Sequence, residues 1–139
     1  MTILDGLKAD FDVLDDWEDR YRHVIELGRE LTPLDEKTRI PANKVRGCAS
    51  QVWIHTISSG SPPVLTFHAD SDALIVKGLI AILLGLFSGK SADGILKIDA
   101  KSNLSALGLE SNLSQQRTNG LHSMIERINA DARSLSARS

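Results

Sequence analysis

Cys48 is the only cysteine in the 139-residue chain, and it stands in the run Asn43-Lys44-Val45-Arg46-Gly47-Cys48-Ala49-Ser50-Gln51-Val52-Trp53. One thiol forms no internal disulfide. Nor does it supply the roughly four ligands, mostly thiolates, of a structural zinc or iron–sulfur site. What remains is an inert buried thiol, a nucleophile, or the carrier of a transferable group. The flanking residues argue against the inert reading. Gly47, Ala49 and Ser50 are small, and the alternating run Val52-Trp53-Ile54-His55-Thr56-Ile57 that follows reads as a strand, so the thiol falls at a loop tip. Lys44 and Arg46 bring positive charge close by, which favours the thiolate. A free thiol of pKa ~8.5 is only a few per cent ionised at pH 7, so such charge helps chemistry directly.

Other residues invite a chemical reading. A cysteine paired with a histidine makes a hydrolase-like nucleophile. The chain has four histidines: His23, His55, His68 and His122. His55 and His68 meet Cys48 only if the sheet folds that way, and otherwise they are strand-edge or surface residues. No histidine or aspartate spacing matches a zinc motif. Asp70 and Asp72 could act as an acid–base pair, but capping of a following helix explains them more simply. Arg117 falls in the first turn of a helix that Ser114 caps. A cation there opposes the helix dipole, and such local conflicts mark functional positions when they are not plain surface arginines.

The elements that hold these residues follow from the apolar pattern. Residues 1–139 make one domain, of the usual size. Ile3, Leu7, Phe11 and Leu14 have helical spacing, with a capping-box start at Thr2 and Asp5. Asp15 and Asp16 cap a second helix. Trp17, Tyr21, Val24, Ile25 and Leu31 line its inner face, and Glu18, Asp19, Arg22, Glu26, Arg29 and Glu30 its solvated one. Residues 32–42 form a surface loop. A short strand ends near Arg46, and a second begins near Gln51. Residues 58–63 are a six-residue hairpin turn, and Val64 to His68 is the partner strand. A long helix starts at residues 69–72 with Ser71 as cap and runs through Phe87, with Gly78 and Gly85 open to close approach. Short helices cover 91–96 and 102–107, and a last helix runs from Ser114 to about Arg133. The fold class is α+β: a small antiparallel sheet of about three strands packed on helices.

Composition narrows the function. Hydrophobic residues make up 42% and charged residues 24%, as in a soluble globular protein. The net charge is −2 with no clustered basic tract, so nucleic acid is not an expected partner. The most apolar stretch, 73–87, is shorter than the ~20 residues of a span and contains Lys77, so no membrane anchor is expected. Sparse cysteine and no signal peptide fit the cytoplasm.

Four stretches, in order, resemble the SufE family of sulfur acceptor proteins. These are Trp17-Glu18-x-Arg20-Tyr21 with Ile25-Glu26-Leu27-Gly28; the Cys48 run; Asp70-Ser71-Asp72-Ala73-x-Ile75-Val76-Lys77-Gly78-Leu79; and Leu107-Gly108-Leu109 with Leu113-Ser114-x-x-Arg117-x-Asn119-Gly120-Leu121. The pair Ser50-Gln51 is closer to SufE than to its paralogue CsdE. One departure is Asn103-Leu104-Ser105-Ala106, where the family often has an aromatic. The resemblance implies the fold shared with IscU-type scaffolds. It implies that Cys48 accepts persulfide sulfur from a SufS-type cysteine desulfurase, stimulates it, and passes sulfur to a SufBCD-type scaffold. Pyridoxal phosphate would belong to the desulfurase and no cofactor to this chain. No independent turnover is implied, and the chain would be a monomer or homodimer. Arg117 and Asp72 match motif positions near the thiol, with a charge-stabilising or docking role for Arg117 and a loop-holding role for Asp72. Arg46, Gly47, Ser50 and Gln51 would form the partner-contact loop. The residues alone leave open a thiol enzyme using His55 or His68, and a binding module in which Cys48 is incidental.

Overall fold

A computed structural model describes residues 3–14, 16–47, 51–109 and 113–136, except the side chains of residues 3–5, 7 and 8. Thr2 and Asp15, each expected to cap a helix, and residues 137–139 lie outside the described residues, as do the side chains of Ile3, Asp5 and Leu7.

Two helices open the chain, α1 (Ile3–Val13) and α2 (Trp17–Arg29). Asp16 caps α2, its carboxylate accepting from the Glu18 N–H at 3.1 Å. Arg20 turns back to close α1, donating to the carbonyls of Leu14 at 2.7 Å and Phe11 at 2.9 Å. The Phe11 ring packs edge-on against Trp17. Val24 and Gly28 are the buried stripe of α2, and its charged face is exposed.

The sheet has strand order β1-β2-β3, all antiparallel: β1 (Val52–Ser59), β2 (Val64–Ser71) and β3 (Lys90–Ser91). Alternation along the hairpin puts Val52, Ile54, Leu65, Phe67 and Ala69 into the core. His55 and His68 pair across the opposite face. Helix α3 (Leu74–Phe87) lies on the core face, followed by α4 (Ala92–Leu96), α5 (Ala100–Ala106) and α6 (Gln115–Ser136). Ser114 caps α6, its hydroxyl accepting from the Arg117 N–H at 3.2 Å. Leu121, Met124, Ile125 and Ile128 of α6 are buried, as their spacing predicts.

Helices α2 and α3 cross backbone to backbone. A Cβ on Gly28 would lie 2.5 Å from the Gly78 nitrogen, and one on Gly78 only 2.1 Å from the Val24 carbonyl oxygen. The close approach expected at Gly78 is there, and its partner is Gly28. No helix among the described residues is long and apolar enough to cross a membrane.

The structure corrects four boundaries. The strand expected before Arg46 is a single bridge, Lys44 to Trp53; the third strand is Lys90–Ser91. Chain leaving α3 is laid along β2 there, with Gly89 N–H donating to the Leu65 carbonyl at 2.7 Å. Pairing of Ser59 with Val64 shortens the hairpin connection to residues 60–63. Strand β2 continues through Ser71 because Val52 pairs with Ser71. Helix α3 therefore starts at Leu74 after Ala73, without a side-chain cap. Asp70 and Ser71 are strand residues, not caps. Residues 36–38 and 41–43 are short 3₁₀ turns inside the expected loop.

Candidate functional site

Cys48 and Ser50 lie outside the described residues, with Ala49 between them. What the structure gives is the two ends between which they run. On the incoming side, Gly47 has φ +88°, and a Cβ there would stand 2.6 Å from Ser123 Oγ on α6. Only glycine fits that conformation and that gap together. On the outgoing side, Asp72 holds Gln51. Its carboxylate accepts from the Gln51 N–H at 3.0 Å, and its own N–H donates to the Gln51 carbonyl at 3.3 Å. The Ser71 hydroxyl donates to the same carbonyl at 2.7 Å. The end of β2 thus seats the residue three places after Cys48.

The segment leading into Gly47 is fixed by one buried carboxylate. Asp70, 2% exposed, accepts from the Arg39 guanidinium at 2.5 Å, from the Leu34 N–H at 3.3 Å and from the Ser71 N–H at 2.8 Å. Lys77 Nζ lies 3.6 Å from it. The Arg39 guanidinium also lies over the Trp53 ring, 4.9 Å from its centroid. Trp53 and Asp70 are cross-strand partners, so one stack of Arg39, Trp53 and Asp70 ties residues 34–45 to the hairpin. Val45 N–H completes the tie on the Val52 carbonyl at 2.9 Å.

Arg46 and Lys44 are exposed beside this stack. With Arg39, Gly47 and Trp53 they line a cleft of about 620 Å³, Gly47 being the residue before Cys48 in the chain.

Arg117 is half-buried at the N-terminal end of α6. It precedes Gly120 and Leu121 by three and four residues, so it extends the core-facing stripe of that helix outward. No bond among the described residues joins it to Arg46, Gln51 or Asp72.

The histidines are committed elsewhere or exposed. Asn43 Nδ2 lies 3.3 Å from His55 Nδ1 and donates to the Thr38 carbonyl at 2.8 Å. His68 is exposed on the outer face of the hairpin, and His23 lies 3.1 Å from Asp10 Oδ2. Asp70 and Asp72 do not form an acid–base pair. The first is engaged by Arg39, and the second by Gln51.

Sequence reasoning missed the tie through Arg39, Trp53 and Asp70, and the seat of Gly47 on Ser123. The first was hidden by reading Asp70 as a helix cap. Pairing Ser59 with Val64 and running that register on through β2 would have set Asp70 opposite Trp53. The second joins residues 76 apart in the chain and leaves no local signal.

An α+β frame with an antiparallel hairpin, a helical cover and a lone cysteine between Gly47 and the tethered Gln51 defines a small thiol-bearing domain. A family model described as SufE, Fe–S metabolism associated domain, matches residues 5–132. The chain is 55% identical over 135 residues to an uncharacterized SufE-like protein of Rhizobium etli, covering 96% of this chain and 91% of that one. It is 54% identical over 134 residues to an uncharacterized SufE-like protein of Rhizobium meliloti, covering 95% and 96%. A hypothetical protein from Thermus thermophilus, solved in solution, shares the fold with a TM-score of 0.75 at 20% identity, covering 98% of this chain and 96% of that one. The chain belongs to the SufE family, whose domain is associated with iron–sulfur metabolism.

Proposed function

We propose that the chain is a sulfur acceptor and carrier, of the SufE rather than the CsdE type. It takes persulfide sulfur from a SufS-type cysteine desulfurase onto Cys48, stimulates that enzyme, and delivers the sulfur to a SufBCD-type scaffold in the cytoplasm. The observation that carries this is the family match across residues 5–132 in a chain with one thiol.

The step is a thiol–disulfide-type exchange. The Cys48 thiolate attacks the terminal sulfur of the desulfurase persulfide. The sulfur–sulfur bond in the desulfurase breaks and its cysteine leaves as a thiolate. A new sulfur–sulfur bond forms on Cys48, with no net oxidation. Pyridoxal phosphate stays on the desulfurase and releases the sulfur from cysteine there.

The residues on either side suit this chemistry. Gly47, packed close to Ser123 in a conformation that favours glycine, and Gln51, hydrogen-bonded to Asp72, bracket the three residues that include the thiol. Asp72 holds the exit. Arg117 acts on charge or docking through its guanidinium.

Desulfurase turnover with L-cysteine, followed as sulfide or alanine release, tests the assignment. Added protein raises turnover, Cys48→Ser abolishes the increase, and Arg117→Ala reduces it without changing thermal stability. Stimulation that survives Cys48→Ser contradicts the carrier reading. Arg117→Ala behaving as wild type removes the role given to Arg117. Stimulation of the desulfurase that CsdE serves, in place of the SufS type, overturns the subfamily assignment.

A further inference from the structure

The cleft beside the Cys48 segment has a charge pattern that sulfur exchange does not itself require. It is lined by Arg39, Lys44 and Arg46 together with Pro41, Gly47 and Trp53, and no carboxylate faces it among the described residues. Arg39 is matched from behind by Asp70. Lys44 and Arg46 are exposed, and their side chains make no hydrogen bond or ion pair among the described residues. The chain as a whole carries a net charge of −2, and the acidic side chains Glu18, Asp19, Glu26 and Glu30 sit on α2 or at its end. Two unmatched cations in a concavity are therefore a local reversal of the molecule's sign, where a cleft concentrates the field.

The backbone that leads to these cations is held in place. Lys44 is bridged to Trp53, and the Val45 N–H is fixed on the Val52 carbonyl at 2.9 Å. The backbone bearing them is thus set by the sheet edge and the Arg39–Asp70 tie, so docking requires little further ordering of the backbone.

We infer that this cleft docks a carboxylate-bearing surface segment of the desulfurase, with Lys44 and Arg46 reading its charge. The inference rests on the sulfur-acceptor function proposed above and adds the chemistry by which the partner is recognised. Charge complementarity selects an acidic segment: a basic one would be repelled by the two unmatched cations, and an apolar one would leave Lys44 and Arg46 desolvated without partners. Its position next to Gly47 means that filling the cleft brings the same partner surface up to the Cys48 segment.

The test is binding of the full-length chain to a SufS-type desulfurase at low and high sodium chloride, about 50 and 300 mM, which shortens the reach of exposed charges. Wild type is expected to bind more weakly at high salt. Lys44→Glu/Arg46→Glu is expected to lose about tenfold or more in affinity at low salt and most of the salt dependence. Lys44→Gln/Arg46→Gln falls between, and both variants melt close to wild type because the two side chains are exposed. Replacing acidic residues with lysine on the desulfurase surface around its persulfide should restore binding to the Glu variant. Variants that bind like wild type with the same salt slope overturn the cleft proposal alone. Wild type that binds at neither salt overturns the sulfur-acceptor reading and the cleft with it.

Discussion

Asp72 and Asp70 stand two residues apart and do different work. Asp72 is exposed, and its carboxylate accepts from one backbone N–H, that of Gln51. Asp72→Ala should cost about 1 kcal/mol, the net contribution of a hydrogen bond to a charged acceptor in a wet site. It should also speed amide exchange at Gln51 more than along the rest of β1, as amide exchange measurements would show. Asp70 is buried, and four groups depend on it: Arg39, Lys77 and the N–H groups of Leu34 and Ser71. Asp70→Asn keeps the shape and removes the charge, leaving the Arg39 cation half-buried without its counterpart. Breaking one side of such a pair costs on the order of 3 kcal/mol. In a chain of this size the melting temperature should then fall by roughly 10 °C. A melting temperature unchanged in Asp70→Asn would mean that the tie contributes nothing to the fold.

At the scale of elements, the crossing of α2 and α3 depends on two missing side chains. The neighbours of a Cβ at Gly78 are the Val24 carbonyl oxygen and carbon, at 2.1 and 2.7 Å, and the Val24 Cγ1 methyl, at 2.6 Å. Backbone cannot step aside as a flexible side-chain tip can, so the helices must separate. Gly78→Ala should therefore destabilise by about 3 kcal/mol or more, as overpacking of a tight contact does. Gly6 provides the contrast. It sits inside α1, where an added methyl group would meet nothing within 4 Å. Gly6→Ala should stabilise by about 0.5–1 kcal/mol through helix propensity alone. Chemical denaturation of the two variants measures both signs. The loop anchor makes a third case. Gly47→Ala meets the movable hydroxyl of Ser123 but also a positive φ that no side-chain shift relieves. Ser123→Gly should therefore not rescue it in thermal unfolding.

For the molecule as a whole, the elements were legible wherever apolar spacing is strong. The face of α2, the hairpin, the long α3 and the buried stripe of α6 all follow from periodicity. Boundaries set by pairing were not. Strand β2 runs on to Ser71 because Val52 is there to pair with it, and β3 exists because the chain leaving α3 falls back on β2. Neither fact is local. Asp70 looked like a cap for the same reason: aspartate before an apolar run has the same signature whether it caps a helix or ends a strand with its carboxylate turned to an arginine 31 residues earlier. The family was legible because four stretches of the chain resemble its motifs in the same order. The cleft was legible only in part: Lys44 and Arg46 are neighbours in sequence, but Arg39 and Trp53 join them through the sheet.

The central claim is that Cys48 carries sulfur. Intact mass spectrometry tests it most directly: the protein is mixed with a SufS-type desulfurase and L-cysteine, and weighed without reductant. A sulfur carrier gains the mass of one or more sulfur atoms, which maps to Cys48, disappears on treatment with a thiol reductant, and is absent in Cys48→Ser. An unchanged mass, beside a desulfurase shown to be active and to bind the chain in the same tube, would contradict it.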